Sequence, residues 1–391
     1  MSERTSVSVV LAAGVLAAVS LGKFSPFLDE VRHGFDLSLT AAGWLTSSIT
    51  VVAAAAATAV GRWSAAERSR PVLAWGLVAI GVSGLLTSVL VEVAWQLYAL
   101  RLVEAVGYVA IMVAGPSLLA QVKDHAVRRW ALALWGMCIP AGLAVAAAVG
   151  GLLAGAGWRA WLVTAALASL LLIPLVPWTV SPWNTGSQAD DERSDACPPG
   201  HPRAAVWLLA GGFALITMVG LAVVTMLPVF LSAEQGLSPG RAGALTSIVA
   251  ASSILGSVAA GYLLQRGTRS VSLFASALVM PLLGAGIFLA PLWSACFVAA
   301  VLLMVVNGIV VATVFAVLPT VSGVAGAARA AGTVTQVGSL GTLLGPPLFG
   351  TTRELIGWWA AVPLVLTVAL VGVVALSAAV RSSTTPAASE A

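Results

Sequence analysis

Residues 204–231 read AAVWLLAGGFALITMVGLAVVTMLPVFL, 28 residues without a charge. Coiled as an α-helix at about 1.5 Å per residue, this run would extend about 42 Å. That exceeds the roughly 30 Å hydrocarbon core of a bilayer. Strands of a membrane barrel would instead alternate apolar and polar residues over segments of about ten, and no such alternation is present. The stretch therefore reads as a membrane-spanning helix.

Working outward, eleven more runs of this kind occur, near 7–28, 38–60, 72–91, 95–119, 130–154, 159–180, 242–264, 270–290, 293–318, 330–350 and 358–380. The first continues into Lys23-Phe24-Ser25-Pro26 without a small-residue cleavage site and reads as a retained helix. Composition agrees: 59% of the 391 residues are apolar and 9% are charged, against about 25% charged in an average soluble domain. Mean hydropathy is +1.01. These values exclude a soluble fold and a disordered chain. The net charge of +4 is spread along the sequence and forms no basic patch for nucleic acid. The three cysteines contain no C-x-x-C pair and the three histidines are far apart, so no metal, redox or cofactor site is expected.

The loops between spans set an orientation. With the N-terminus inside, cytoplasmic segments carry 13 Lys and Arg and outer segments carry 4, leaving Lys23 and Arg101 within spans. Under the positive-inside rule this predicts a multi-pass protein of the cell membrane with both termini cytoplasmic. Ser181–Arg203 is the one long polar stretch, holding Asp190, Asp191, Glu192 and Asp195. It reads as a linker between a bundle at 1–180 and a bundle at 204–391. The halves repeat at an offset of 200. Leu37-Ser38, Ala42-Gly43 and Leu45-Thr46-Ser47 recur as Leu237-Ser238, Ala242-Gly243 and Leu245-Thr246-Ser247, and Gly157-Trp158 recurs as Gly357-Trp358. The expected fold is all-α, with twelve helices in two pseudo-symmetric six-helix bundles, an architecture of secondary transporters.

Three local motifs give this organisation a family resemblance. Gly61–Arg70 is similar to the G-x-L-x-D-R-x-G-R-K loop of the major facilitator superfamily, with Ala65 at the Asp position, and its repeat copy Gly261–Arg269 has Gln265 there. Arg101-Leu-Val-Glu104-Ala-Val-Gly107 resembles the R-x-x-Q-G stretch of the fourth span. Gly136–Gly142 partly resembles the G-x-x-x-G-P motif of drug–proton antiporters, and Gly341-Thr-Leu-Leu-Gly345-Pro346 is a fuller version. Leu21–Leu28 with Leu37–Leu45 looks most like the cyanate and 2-nitroimidazole transporter branch. The resemblance implies alternating-access transport of a small molecule across the bilayer, with protons as a candidate coupling ion, and a monomer is expected.

Charges inside spans cost about 2.5–3.5 kcal/mol each on insertion scales, so they mark candidate function. Lys23, Arg101 and Glu104 fall roughly 6, 9 and 14 Å below the outer face by helical rise, depths at which they can meet. Arg101 and Glu104, at i and i+3, either pair along one helix face or line a cavity. Lys23 either joins them or reaches for the outer surface. Together they sum to +1 and would draw a small anion or a compact polar solute. Asn307 and Gln336 are polar residues of later spans, each a substrate contact or an interhelical bond. Tyr108 and Trp135 either line a cavity or pack. The Thr46, Ser47, Ser48 and Thr50 run reads as interhelical glue. The chain has no G-x-x-x-x-G-K loop, and its spans hold no His for intramembrane catalysis, so it is not expected to be an enzyme. Secondary transport of an anion or polar solute leads. Proton-coupled efflux of lipophilic compounds and a non-transporting sensor are the alternatives.

Overall fold

In the computed structural model, residues 3–55, 69–176, 203–322 and 327–384 are described. The Gly61 loop up to Arg68, and the linker apart from Arg203, lie outside the described residues. A helix stands at each of the twelve expected spans. The first is broken: α1 (Glu3–Gly22) ends in a turn at Lys23 and Phe24, a 3-10 turn covers Ser25–Phe27, and α2 (Leu28–Gly34) resumes. The second, α3 (Leu39–Ser47), passes through a 3-10 turn at Ser48–Thr50 and continues to Ala55. Next come α4 (Ser69–Leu90), α5 (Ala94–Ala120), α6 (His125–Trp135), α7 (Cys138–Leu152) and α8 (Gly157–Leu172). The remaining helices are α9 (Arg203–Ala233), α10 (Pro239–Gln265), α11 (Ser270–Ala275), α12 (Met280–Phe288), α13 (Trp293–Ala316), α14 (Leu318–Ser322), α15 (Ala327–Leu355) and α16 (Ala361–Thr384).

The surface is what a bilayer requires. Leu152, Leu171, Leu255, Leu282 and Val374 are exposed, while the charges of the spans are buried. Exposed Trp75, Trp95, Trp207 and Trp359 each lie within a few residues of a helix start, where an amphipathic ring prefers the membrane interface.

The offset of 200 has a backbone meaning. Asp36 (φ 50°) and Gly236 (φ 64°) are both left-handed, and so are Gly157 (φ 82°) and Gly357 (φ 119°). The first pair turns the chain into Ser38 and Ser238, whose carbonyls accept from Ala42 N and Ala242 N, each at 2.9 Å. Glycine recurs at 157 and 357 because a side chain is disfavoured at such φ. The G-x-x-x-G residues of α15 serve close approach. An added Cβ would lie 1.8 Å from Ala214 O at Gly341 and 2.3 Å from Met218 O at Gly345, so α9 and α15 touch backbone to backbone.

By its internal contacts the chain divides into two compact units. One comprises Met1–Ala189 and Val224–Ala251, the other Asp190–Val223 and Ser252–Ala391. The residues 224–251 thus join the helices of the first half. Ser25 bonds to Val224, and a Cβ on Gly243 would meet Gly151 Cα at 2.8 Å.

Candidate functional site

The two helix breaks create the site. Where α1 stops at Gly22 and α3 at Ser47, the last carbonyls of each helix lack intrahelical partners. The Thr46–Thr50 hydroxyls deepen the second break. Thr46 Oγ1 and Ser47 Oγ donate to Gly43 O at 2.8 and 3.0 Å, Ser48 Oγ to Leu45 O at 3.0 Å, and Thr50 Oγ1 to Ser47 O at 2.8 Å. The interhelical glue expected of this run is therefore corrected. Each of these hydroxyls bonds back to its own helix, because an i−3 or i−4 carbonyl is always within reach, and such bonds bend helices.

Arg101 of α5 fills the gap between the breaks. Its Nε donates to Leu45 O at 3.2 Å. Its Nη1 donates to Ser20 O at 2.7 Å and Glu104 Oε2 at 2.8 Å. Its Nη2 donates to Leu21 O at 3.3 Å and Thr46 O at 2.9 Å. A guanidinium has five N–H groups, so the fork is fully used. A cation at the C-terminal ends of two helices also matches their dipoles.

Lys23 lies at the break itself. Its Nζ is 2.7 Å from Glu104 Oε1. This is an ion pair off the directed line, since no donor among the described residues makes a well-aimed hydrogen bond to that oxygen. The side chains of Lys23, Arg101 and Glu104 are 3%, 1% and 2% exposed, so Lys23 is buried with the pair and does not reach for the surface. Phe24 presents its ring to both cations, 5.4 Å from Lys23 Nζ and 5.1 Å from Arg101 Cζ, a cation–π arrangement. Trp161 of α8 donates from Nε1 to Lys23 O at 2.8 Å, satisfying a carbonyl that the break leaves open. The formal charge of the cluster is +1. Lys23 has no second acid within ion-pair distance among the described residues.

The other expected residues do not all gather here. Tyr108 is buried one turn after Glu104 on α5, on the same face by helical spacing. Trp135, at the end of α6, packs on Gly14 and Gly115. An added Cβ at those positions would lie 2.6 and 2.1 Å from its ring. Gly14 precedes Lys23 by nine residues, about 13 Å along a helix, so Trp135 is a packing residue away from the cluster. Asn307 belongs to the second unit, where Nδ2 donates to Ile216 O at 3.0 Å. Gln336 is partly buried on α15 of the same unit. Sequence reasoning missed Phe24 and Trp161. The signal for the first was the Lys-Phe-Ser-Pro string at a helix break, whereas no spacing rule points to Trp161.

Comparison with known proteins places this architecture. Residues 10–230 match the Major Facilitator Superfamily, more than half of the chain, and the protein belongs to that family. It is a multi-pass secondary transporter and not an enzyme. A crystal structure of a bacterial homolog to the human lysosomal transporter Spinster, inward-facing and occupied, superposes with a TM-score of 0.78 at 16% identity, covering 96% of this chain and 95% of that one. A D-xylose–proton symporter superposes with a TM-score of 0.71 at 16% identity, covering 95% and 97%. No curated protein sequence matches the chain.

Proposed function

We propose that this transporter moves a small anion, or a compact polar solute with anionic character, and that Lys23 is the residue that recruits it. The observation that carries this reading is the +1 sum of a buried cluster whose other cation, Arg101, has spent every N–H on protein acceptors. An ammonium has three donors, and Lys23 Nζ meets one carboxylate oxygen. A buried charge without full compensation is costly until a partner arrives. Arg101 is then a positioning residue that joins α1, α3 and α5 and holds Glu104 against Lys23. The likeness of Leu21–Leu28 and Leu37–Leu45 to the cyanate and 2-nitroimidazole branch favours a compact substrate. Tyr108, one turn from Glu104, is the neighbouring polar group on offer. We also take it to act as a monomer in the cell membrane, with both termini cytoplasmic on the distribution of Lys and Arg.

Uptake into proteoliposomes of a panel of small anions and neutral heterocycles, with and without an imposed pH gradient, tests the proposal. Uptake of an anion that is lost in Lys23→Met supports it. Uptake restricted to lipophilic cations overturns it in favour of drug efflux. A difference between the two gradient conditions reports proton coupling.

A further inference from the structure

Helix α9 carries Pro228 in its interior. Proline has no N–H, so the carbonyl four residues earlier, that of Val224, has no helical donor. The Ser25 hydroxyl takes that place. Ser25 Oγ donates to Val224 O at 3.0 Å and lies 3.2 Å from Thr225 O. Ser25 is buried, and the contact lies within the first compact unit. It stands two residues after Lys23, in the 3-10 turn that follows the end of α1. One three-residue stretch therefore holds the Lys23–Glu104 ion pair, the Lys23 carbonyl fixed by Trp161, and the bond to α9.

We infer that Ser25 and Pro228 are a matched pair of positioning residues: the Ser25 hydroxyl docks on the carbonyl that Pro228 leaves open, tying the segment Val224–Ala251 to the helix break that bears Lys23. The inference goes beyond the anion reading and stands without it. Its weight comes from chain connectivity. Helix α9 passes from the second compact unit to the first between Val223 and Val224, and α10 passes back between Ala251 and Ser252. Because both crossings lie inside helices, the seat of the segment on the α1 break also fixes the course of α9 and α10 within the first unit. A bond from a neutral hydroxyl to one carbonyl is suited to release, because water can replace both partners. The shorter of the two Ser25 contacts is to Val224 O, the carbonyl that Pro228 leaves without a helical donor, and the longer is to the neighbouring Thr225 O. The second seat is equally free of long side chains: a Cβ on Gly243 would meet Ala147 O at 2.8 Å as well as Gly151 Cα, so α7 and α10 meet as bare backbone.

A double-mutant cycle read by hydrogen–deuterium exchange of the full chain in lipid nanodiscs tests this. Ser25→Ala should speed amide exchange in residues 23–31 and 225–232 about fivefold, the factor for one lost neutral hydrogen bond. In Pro228→Ala the new N–H occupies the Val224 carbonyl, so adding Ser25→Ala there should change exchange less than twofold. Ser25→Thr keeps the hydroxyl and should stay within twofold of the parent. If the alanine variant aggregates, Ser25→Cys, a weaker donor of similar size, gives the same comparison. Unchanged exchange in Ser25→Ala, or equal acceleration with and without Pro228, overturns the inference.

Discussion

Replacing Lys23 and Arg101 separately by methionine should produce opposite phenotypes, although both are buried cations touching the same carboxylate. Arg101→Met removes five hydrogen bonds, four of them to the carbonyls of Ser20, Leu21, Leu45 and Thr46. Each bond to a charged group is worth about 1.5–3 kcal/mol, but helix ends relax and water reaches some carbonyls. The net loss should be about 3–5 kcal/mol, the range for breaking a buried charge network by removing one member. Lys23→Met leaves Glu104 bonded to Arg101 at 2.8 Å and takes the cluster from +1 to zero. Desolvation of the ammonium roughly offsets its pairing, so stability should stay within about 1 kcal/mol of the parent. Transport should instead fall. Losing one charged contact of about 1.5–3 kcal/mol corresponds to roughly 10- to 150-fold in apparent substrate affinity, at tenfold per 1.4 kcal/mol. Thermal unfolding of purified protein, beside concentration-dependent uptake into proteoliposomes, reads both quantities. Equal destabilisation of the two variants, or unchanged uptake in Lys23→Met, would refute the division into a clamp and a recruiting charge.

Three further outcomes follow from the same contacts. Trp161→Phe keeps a ring but frees the Lys23 carbonyl, and should cost about 0.5–1.5 kcal/mol while raising the apparent KM for uptake more than it lowers the maximal rate. Gly115→Ala drives a methyl into the Trp135 ring and should destabilise by about 1–3 kcal/mol; adding Trp135→Leu should restore part of the loss, measured by thermal unfolding of single and double variants. Gly243→Val places branched carbons against Gly151 and Ala147, and should accelerate amide exchange in residues 224–251 while that of residues 252–322 stays at the parent rate.

Much of this was legible in the sequence because the bilayer is a severe filter. Twenty apolar residues in a row have few fates, so 204–231 announced α9 and the other runs their helices. The offset of 200 was equally plain, and its cause is now visible in the paired left-handed backbones at Asp36 and Gly236 and at Gly157 and Gly357. The meeting of Lys23, Arg101 and Glu104 could be expected from depth alone, since charges in lipid must find one another. What Arg101 does there could not be read, because its four carbonyl partners belong to residues of ordinary type, Ser20, Leu21, Leu45 and Thr46, and a backbone acceptor leaves no mark in the sequence. The carbonyls matter only because α1 and α3 stop within their spans. Those stops are set by Pro26 for one helix and by back-bonding hydroxyls for the other. Interhelical bonding was the natural reading of Thr46–Thr50, yet in each of these residues the nearer acceptor won.

The comparison of the two halves sharpens the assignment of roles. In both, a polar side chain of the fourth helix donates to the backbone of the first: Arg101 to Ser20 and Leu21, and Asn307 to Ile216. When Pro116 is set against Pro319, Asn307 aligns with Glu104 and Met304 with Arg101, so the two halves link the corresponding spans from different positions and with different chemistry. In the second half the donor is a neutral amide, and the contact adds packing without charge. In the first half the accepting helix is broken, the donor is a guanidinium, and a carboxylate and a second cation complete the cluster. A helix-to-helix bond can be made by an amide alone, as between Asn307 Nδ2 and Ile216 O. Arg101 instead engages four carbonyls at the ends of two interrupted helices, an arrangement that destabilises each helix taken singly. The ammonium of Lys23 has no charged counterpart at Val223, 200 residues on, and it is buried within its span with a single acid beside it among the described residues.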